Sequence, residues 1–160
     1  MRIGFGYDSH RLVEGRGLIL GGIAIPHEKG LLGHSDADVL VHAICDAILG
    51  ATDNGDIGMN FPDTDPAYKN ISSLELLRKV DNMAKEKGFL IGNIDSTVVL
   101  ERPKIADYIS SITMKISSTL SIPQNKVSVK AKTNEKMGFI GREEGIVAFA
   151  VVLMIKQGGI

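Results

Sequence analysis

The sequence predicts a single α+β domain over residues 1–160, with a mixed or antiparallel β-sheet and about three α-helices packed on one face. Short β-branched segments alternate with amphipathic helical patterns, and no linker or internal repeat divides the chain. A length of 160 residues suits one hydrophobic core. The hydrophobic fraction of 44% and the charged fraction of 23% are those of ordinary globular proteins.

The N-terminal part is predicted to contain two strands and one helix. Residues 2–8 and 18–25 have strand character and could pair as a hairpin or meander. An apolar pattern with the helical period predicts a helix over residues 36–50. Ser35 stands three residues before Asp38, as in an acidic variant of the capping box. The polar side of this helix would carry Asp38, His42 and Asp46.

The C-terminal part is predicted to contain two further helices and three strands. Ser72 and Glu75 form a capping box for a helix that Gly88 ends, and a second helix would begin at Pro103. The strands are predicted over residues 91–100, 127–132 and 144–156, with loops over residues 52–70 and 133–142. Since the last strand is apolar on both faces, we expect each face to be covered, which indicates an oligomer.

Charge and composition exclude several classes of function. With 18 basic and 19 acidic side chains, the chain has no overall positive field to bind nucleic acid. Its apolar runs are too short to cross a bilayer as helices, and its start lacks the features of a signal peptide. The single cysteine, Cys45, lies in an apolar helical pattern and is expected to be a core thiol. We therefore expect a cytoplasmic protein that binds neither nucleic acid nor membrane.

A metal site is the chemistry that the N-terminal residues favour. Asp8 and His10 are two apart in a strand, so their side chains point to the same face. A catalytic zinc site needs a third protein ligand, for which His42 is the best candidate and His34 the alternative. Asp46, one helical turn after His42, could orient its ring. The competing interpretation is a chance Asp-x-His pattern with a solvated histidine.

Two other stretches could bind a ligand. Residues 56–66 offer carboxylates and free amides that suit hydroxyl groups, although an ordinary acidic turn region has the same composition. Residues 130–142 combine cations, a hydroxyl and glycines that could cradle phosphates, or could form a solvated charged turn. Residue spacing alone does not distinguish ligand binding from an ordinary surface loop in either stretch.

Taken together, five stretches resemble the 2-C-methyl-D-erythritol 2,4-cyclodiphosphate synthase family. They are RIGFGYDSHR at residues 2–11, GHSDADVLVHA at residues 33–43, GDIG at residues 55–58, FPDTDP at residues 61–66 and VKAKTNEKMGFIGREEG at residues 129–145. The resemblance runs nearly end to end, in the family's order and at its spacing. Position 37 is Ala where many members have Gly, and residues 100–102 differ from the small residues often found there.

The resemblance implies roles for individual residues. Asp8, His10 and His42 match the family's Zn²⁺ ligands, and Glu135 matches a ligand of a second divalent ion, Mg²⁺ or Mn²⁺. His34 and Thr133 match residues that steady the transition state. The positions that match substrate contacts are Asp8, Ser9, His10, His34, Ser35, Asp56, Ile57, Gly58, Phe61, Pro62, Asp63, Thr64, Asp65, Leu100, Glu101, Arg102, Pro103, Lys104, Ile105, Ala106, Lys132, Thr133, Asn134, Glu135, Phe139 and Arg142.

The implied activity is that of a CMP-forming phosphorus–oxygen lyase of isoprenoid precursor biosynthesis by the non-mevalonate pathway. It converts 4-diphosphocytidyl-2-C-methyl-D-erythritol 2-phosphate into 2-C-methyl-D-erythritol 2,4-cyclodiphosphate and CMP. The family resemblance also implies a homotrimer with active sites between subunits, and a threefold channel near Gly138, Phe139 and Arg142 that could bind an isoprenoid diphosphate. Since the cytidylyltransferase domain of some members is absent, we expect a monofunctional enzyme.

Two other functions remain open at the level of the sequence. A metal-dependent phosphohydrolase would use similar ligands but would activate water to attack the phosphate. A trimeric ligand-binding or scaffold protein would keep the pocket and lack turnover. A cyclic diphosphate product would distinguish the synthase from the phosphohydrolase, which releases free phosphate. Release of CMP would distinguish the synthase from a protein that only binds the ligand.

Overall fold

Seven strands build the β-structure of this computed structural model, which describes residues 1–158. In chain order they are β1 (Arg2–Glu14), β2 (Leu18–Leu20), β3 (Ile23–Ile25), β4 (Lys29–Leu31), β5 (Phe89–Val99), β6 (Val127–Lys132) and β7 (Gly145–Lys156). Five of them form one sheet in the order β4-β1-β7-β5-β6, in which β5 and β6 are parallel and the other neighbours antiparallel. Strands β2 and β3 form a separate hairpin.

Five helices accompany the strands: α1 (Val39–Ala51), α2 (Ile57–Asn60), α3 (Ser73–Glu86), α4 (Ile109–Leu120) and α5 (Gly138–Gly141). The three long helices pack on the sheet and on one another, and the core lies between these two layers. The predicted α+β domain with a mixed sheet is confirmed. The two additional helices are single turns within segments predicted to be loops. The predicted domain also included residues 159 and 160, which lie outside the described residues.

Helix α1 is the centre of the core and is buried on nearly every side. Its predicted apolar face is buried, but Asp38 is also fully buried and His42 is only 9% exposed. The predicted capping box is wrong: the cap is Asp38 itself, whose carboxylate accepts from the Val41 amide. The Asp38 carboxylate also accepts from the amides of Gly21 and Gly22, so the turn between β2 and β3 lies against the N-terminal end of the helix.

Two other elements differ from their predicted bounds, and a third lacks its predicted cap. The segment 18–25 is interrupted by Gly21 and Gly22, whose positive φ angles of 58° and 75° form the turn between β2 and β3. Ser72 caps α3 without a side-chain hydrogen bond, so the second predicted capping box is also not formed. Helix α4 begins at Ile109 rather than Pro103, because a 3₁₀ turn over Ala106–Tyr108 precedes it.

One face of the sheet has no cover from residues 1–158. The helices pack against the side chains of one face of β1 and β7, whereas Phe5, Tyr7, Phe149 and Val151 on the other face are 37–62% exposed. The Phe149 ring lies 5.4 Å from the Tyr7 ring and 6.3 Å from the Phe5 ring, so these residues form a contiguous apolar surface. Among the described helices, none has the length and apolar character needed to span a bilayer.

Candidate metal centre and substrate cavity

Asp8, His10 and His42 converge at the contact between β1 and α1. Asp8 and His10 lie on the helix-covered face of β1, and His42 lies in the first turn of α1. The Asp8 Oδ2 atom lies 2.9 Å from His10 Nε2 and 3.1 Å from His42 Nδ1, and these two nitrogens are 3.2 Å apart. The structure therefore brings together the three residues predicted as zinc ligands, with His42 rather than His34 as the third.

The backbone fixes which nitrogen of His10 faces the site. His10 Nδ1 lies 2.8 Å from the carbonyl oxygen of Leu32, in the segment after β4. A carbonyl oxygen only accepts hydrogen bonds, so Nδ1 carries the proton and donates. In the neutral ring, Nε2 then has a free lone pair, which points toward Asp8.

The far side of the His42 ring is held by two buried hydroxyls. Its Nε2 atom lies 2.8 Å from Ser73 Oγ and 3.2 Å from Ser35 Oγ. Asp46, predicted to orient this ring, does not do so, because its carboxylate accepts from the Ile57 amide at 2.8 Å. The prediction for Asp46 is therefore wrong.

The donor set fits a divalent cation. One carboxylate oxygen and two imidazole nitrogens, each held by a partner on its far side, are the ligands of an open catalytic zinc site. Burial raises the pKa of the Asp8 carboxyl, but hydrogen bonds and charge from His10 and His42 lower it by more, to about 2. Burial lowers the pKa of His10, but Asp8 raises it above its ordinary value. The negative charge of the Asp8 carboxylate thus stabilises positive charge beside His10 and His42.

A cavity of about 480 Å³ opens beside the three ligands. It joins the metal group to the loop after α1 and to the N-terminal part of α3. Its predicted substrate contacts are Asp8, His10, His34, Ser35, Ile57, Gly58, Phe61, Pro62, Asp63 and Thr64. Tyr68, Ile71 and Leu76 also line it and were not predicted, since an apolar residue at a cavity wall has the same pattern as a core residue.

A second cavity of about 180 Å³ contains most of the predicted substrate contacts in residues 100–106. Leu100, Glu101, Pro103, Lys104, Ile105 and Ala106 line it together with Ala131, Lys132 and Thr133. None of these residues lines the cavity beside the metal group. Within one chain, the predicted substrate contacts therefore form two separate groups.

Other predicted site residues lie outside these two cavities. Asp56 and Asp65 accept hydrogen bonds from the amides of Met59 and Ala67, and so cap short turns. Arg102 lies 3.7 Å from Glu143. Ser9 and Phe139 line a third cavity with His10, and Arg142 pairs with Glu144 at 2.8 Å.

The predicted ligand of the second ion, Glu135, lies in the loop after β6. Its carboxylate accepts from the Thr133 hydroxyl at 2.9 Å. The neighbouring Asn134 donates from its side chain to the Met137 carbonyl, and the Glu101 carboxylate accepts from the Asn134 amide. In the described part of the chain, Glu135 does not join Asp8, His10 and His42 in one group of potential metal ligands.

One other group of metal-binding side chains lies in the described residues. It consists of His27, Glu28 and Glu143. The guanidinium of Arg102 lies 3.7 Å from the Glu143 carboxylate, which already gives that carboxylate a cationic partner. The group at Asp8 is therefore the better candidate for a catalytic ion.

The fold and the site together define an α+β domain with a candidate metal site beside a cavity. The sequence profile of the YgbB family matches residues 1–155. A relative from Syntrophus aciditrophicus is 60% identical over 154 residues, which are 96% of this chain and 97% of the relative, and is named 2-C-methyl-D-erythritol 2,4-cyclodiphosphate synthase. The chain belongs to the YgbB family. The resemblance inferred from the sequence and the prediction of an enzyme are confirmed.

Two solved structures show the same fold. The bifunctional IspDF from Campylobacter jejuni superposes with a TM-score of 0.94 at 42% identity, over 97% of this chain and 42% of that chain. The Plasmodium falciparum IspF CDP complex superposes with a TM-score of 0.86 at 39% identity, over 98% of this chain and 97% of that one. The five helices and mixed sheet described above are therefore the fold of this family.

Proposed function

We propose that the chain catalyses a metal-dependent intramolecular phosphoryl transfer. It would convert 4-diphosphocytidyl-2-C-methyl-D-erythritol 2-phosphate into 2-C-methyl-D-erythritol 2,4-cyclodiphosphate and CMP, in the non-mevalonate pathway to isoprenoid precursors. The convergence of Asp8, His10 and His42 at a cavity, in a chain whose full-length relative has the synthase name, carries the proposal. The CDP complex of a structural relative supports a substrate linked to cytidine diphosphate.

The proposed ligands of the first ion rest on the donor set, and Glu135 as a ligand of a second ion rests on the family resemblance. Asp8, His10 and His42 would hold Zn²⁺, and Glu135 would help to hold a second ion, Mg²⁺ or Mn²⁺. When bound, such cations neutralise phosphate oxygens and stabilise the oxygen that leaves with CMP. The tethered 2-phosphate attacks the β-phosphorus, a P–O bond to that phosphorus forms, and the bond to the CMP oxygen breaks.

Residues of the chain would orient the two reacting phosphates. Gly58 and Asp63, in the wall of the first cavity, and Asp56 beside it would hold the erythritol part. Lys132 and Arg142 would contact phosphate oxygens. Both phosphates belong to one substrate, so the reaction is already first-order, and holding them in line in one pocket lowers the barrier further by fixing the geometry of attack.

His34 and Thr133 are proposed to steady the transition state. His34 lines the first cavity, and its Nε2 atom is shielded from solvent with no hydrogen-bond partner in residues 1–158. A buried polar atom of this kind is stabilised by a ligand that supplies the missing partner. The Thr133 hydroxyl, which lines the second cavity, already contacts Glu135.

A homotrimer with active sites between subunits is part of the proposal. Two observations support it: the predicted contacts form two separate cavities in one chain, and one sheet face around Phe149 lacks cover. Joining the two cavities across a subunit contact would complete the site. Gly138, Phe139 and Arg142 would lie near the threefold channel, where an isoprenoid diphosphate could bind. A cytoplasmic location, expected from the unpaired buried Cys45, belongs to the same proposal.

Phosphorus NMR of the reaction products tests this function. The purified protein with Zn²⁺ and Mg²⁺ should produce a cyclic diphosphate and one CMP per substrate. His42→Ala should stay folded and lose this activity, whereas His27→Ala, a histidine outside both cavities, should retain it. Release of inorganic phosphate would indicate the phosphohydrolase instead, and binding without release of CMP would indicate a ligand-binding protein.

A further inference from the structure

The far side of His42 is linked to a second carboxylate by a buried serine. Ser73, the first residue of α3, is fully buried, and its Oγ atom lies 2.8 Å from His42 Nε2. The Ser73 hydroxyl contacts one carboxylate oxygen of Asp36, and the Ser73 amide donates to the other at 3.0 Å. One residue thus joins the carboxylate to the ring of a metal ligand.

The chemistry of these groups sets the direction of the hydrogen bonds. A carboxylate only accepts, so the single hydroxyl proton of Ser73 is donated to Asp36. The Ser73 oxygen can then only accept from His42, which requires the proton on Nε2. The Nδ1 atom of the neutral ring is left with a free lone pair, and it lies 3.1 Å from Asp8 Oδ2.

We propose that Ser73, oriented by Asp36, is a positioning residue that sets the tautomer and the ring orientation of His42 for metal binding. The inference rests on the metal site of the proposed function. It explains why a buried serine stands at the start of α3, directly after the capping residue Ser72, which makes no side-chain cap bond. A carboxylate that acts on a ligand imidazole through a hydroxyl increases the basicity of the ligand and fixes its geometry.

The same contacts join α3 to the segment before α1. The Asp36 amide donates to the Ile71 carbonyl at 3.2 Å, and the Asn70 amide donates to the His34 carbonyl at 2.9 Å. Backbone hydrogen bonds therefore join the segment that carries Asp36 to the residues just before Ser73. Because α1 and α3 also pack on each other, Ser73 has little freedom to turn away from the ring.

Ser35 is the rival partner of the same nitrogen. Its hydroxyl oxygen lies 3.2 Å from His42 Nε2 and already accepts from the Ala37 amide at 3.1 Å. If Ser35 donated its proton to Nε2, the metal-facing nitrogen would carry the proton and could not bind a cation. The two arrangements predict opposite tautomers, which makes the inference testable without a variant.

Zinc affinity measured by chelator competition, with CD spectra to confirm folding, is the first test. Ser73→Ala should weaken zinc binding by about 10- to 100-fold, the usual effect of removing a partner of a ligand histidine. Ser72→Ala is the matched control and should bind zinc as the wild type does. Equal zinc affinity in Ser73→Ala and the wild type, or equal loss in both serine variants, would overturn the inference.

Nitrogen-15 NMR of the histidine rings is the second test, and it uses the wild-type protein. Before zinc is added, the neutral His42 ring should carry its proton on Nε2 and none on Nδ1, and after zinc is added the metal should bind Nδ1. Both readouts are independent of whether Ser73→Ala folds. A metal-bound Nε2, or a proton on Nδ1, would overturn the inference. If the wild type itself bound no zinc, the proposed metal site would fail instead, so the two failures are distinguishable.

Discussion

The backbone of Gly6 lies so close to Ala43 that a Cβ atom on Gly6 would be 1.8 Å from the Ala43 carbonyl oxygen. Gly4 approaches Ala47 in the same way, at 1.7 Å. Two residues after Gly6 on the same face of β1, Asp8 reaches His42. The two glycines therefore set the separation of β1 and α1 that places a carboxylate on one element within reach of an imidazole on the other.

Gly6→Ala should destabilise the protein strongly. The added methyl group meets backbone atoms of α1, which cannot turn aside as a side chain can, so we expect a loss of about 3 kcal/mol or more in the free energy of unfolding. Gly50→Ala, with open space around its Cβ position in α1, should instead raise it by about 0.5 to 1 kcal/mol. Denaturant unfolding of both variants measures the difference, and a loss below about 1 kcal/mol in Gly6→Ala would contradict the close packing.

The same two glycines show what could be predicted from the sequence. Their segment was predicted as a strand over residues 2–8, and the structure extends this strand to Glu14. The packing role of the two glycines depends on α1, far away in the chain. The Ser73 contact with His42 was missed for the same reason, since 31 positions separate the two residues. The nearby Asp46 was chosen instead, and the Ile57 amide proved to be its partner. Local patterns predicted elements and candidate ligands, whereas the partners of those ligands required the fold.

Position 37 illustrates a further limit of the sequence. Ala37 is fully buried and has a φ of 56°, in the left-handed region that glycine adopts without strain. The sequence showed that position 37 is Ala where many family members have Gly. It did not show the left-handed backbone conformation that explains the preference for Gly. The predicted capping box failed at the same turn, because Ser35 bonds to the Ala37 amide rather than to a helical amide.

Zinc affinity should fall as the pH is lowered through the imidazole range. Asp8 raises the pKa of His10 above its ordinary value of 6.5, so a proton on His10 competes with the cation over that range. The affinity should change by about tenfold per pH unit for each proton displaced. Chelator competition from roughly pH 5.5 to pH 8 measures the slope around the ordinary imidazole pKa. An affinity that does not vary with pH would show that His10 is not a ligand.

Cys45 should be unreactive in the folded protein. Its side chain is fully buried in α1, and burial raises the pKa of its thiol well above the ordinary value, with the charges of Asp46 and Asp38 adding to the effect. Since the thiolate is the reactive species, alkylation by iodoacetamide should be negligible in native protein and complete in denaturant. The chain has one cysteine, so the mass of the intact protein gives the result directly. Rapid labelling of the native protein would show that the Cys45 side chain is accessible to solvent.

The uncovered sheet face should drive self-association. Phe149 is 37% exposed and contacts the rings of Phe5 and Tyr7, so a second copy packed on this face would bury all three. Phe149→Glu places a charge at the centre of the surface and should shift the protein from the proposed trimer to a monomer in size-exclusion chromatography with light scattering. Met114→Glu on α4, at an apolar residue that is 57% exposed and away from this face, is the control and should remain a trimer.

If Phe149→Glu kept the mass of the wild type, or if the wild type were a monomer, the face would not be the surface that drives self-association. Loss of the trimer together with loss of cyclisation would show that the two cavities of one chain need a neighbouring subunit to form a complete site.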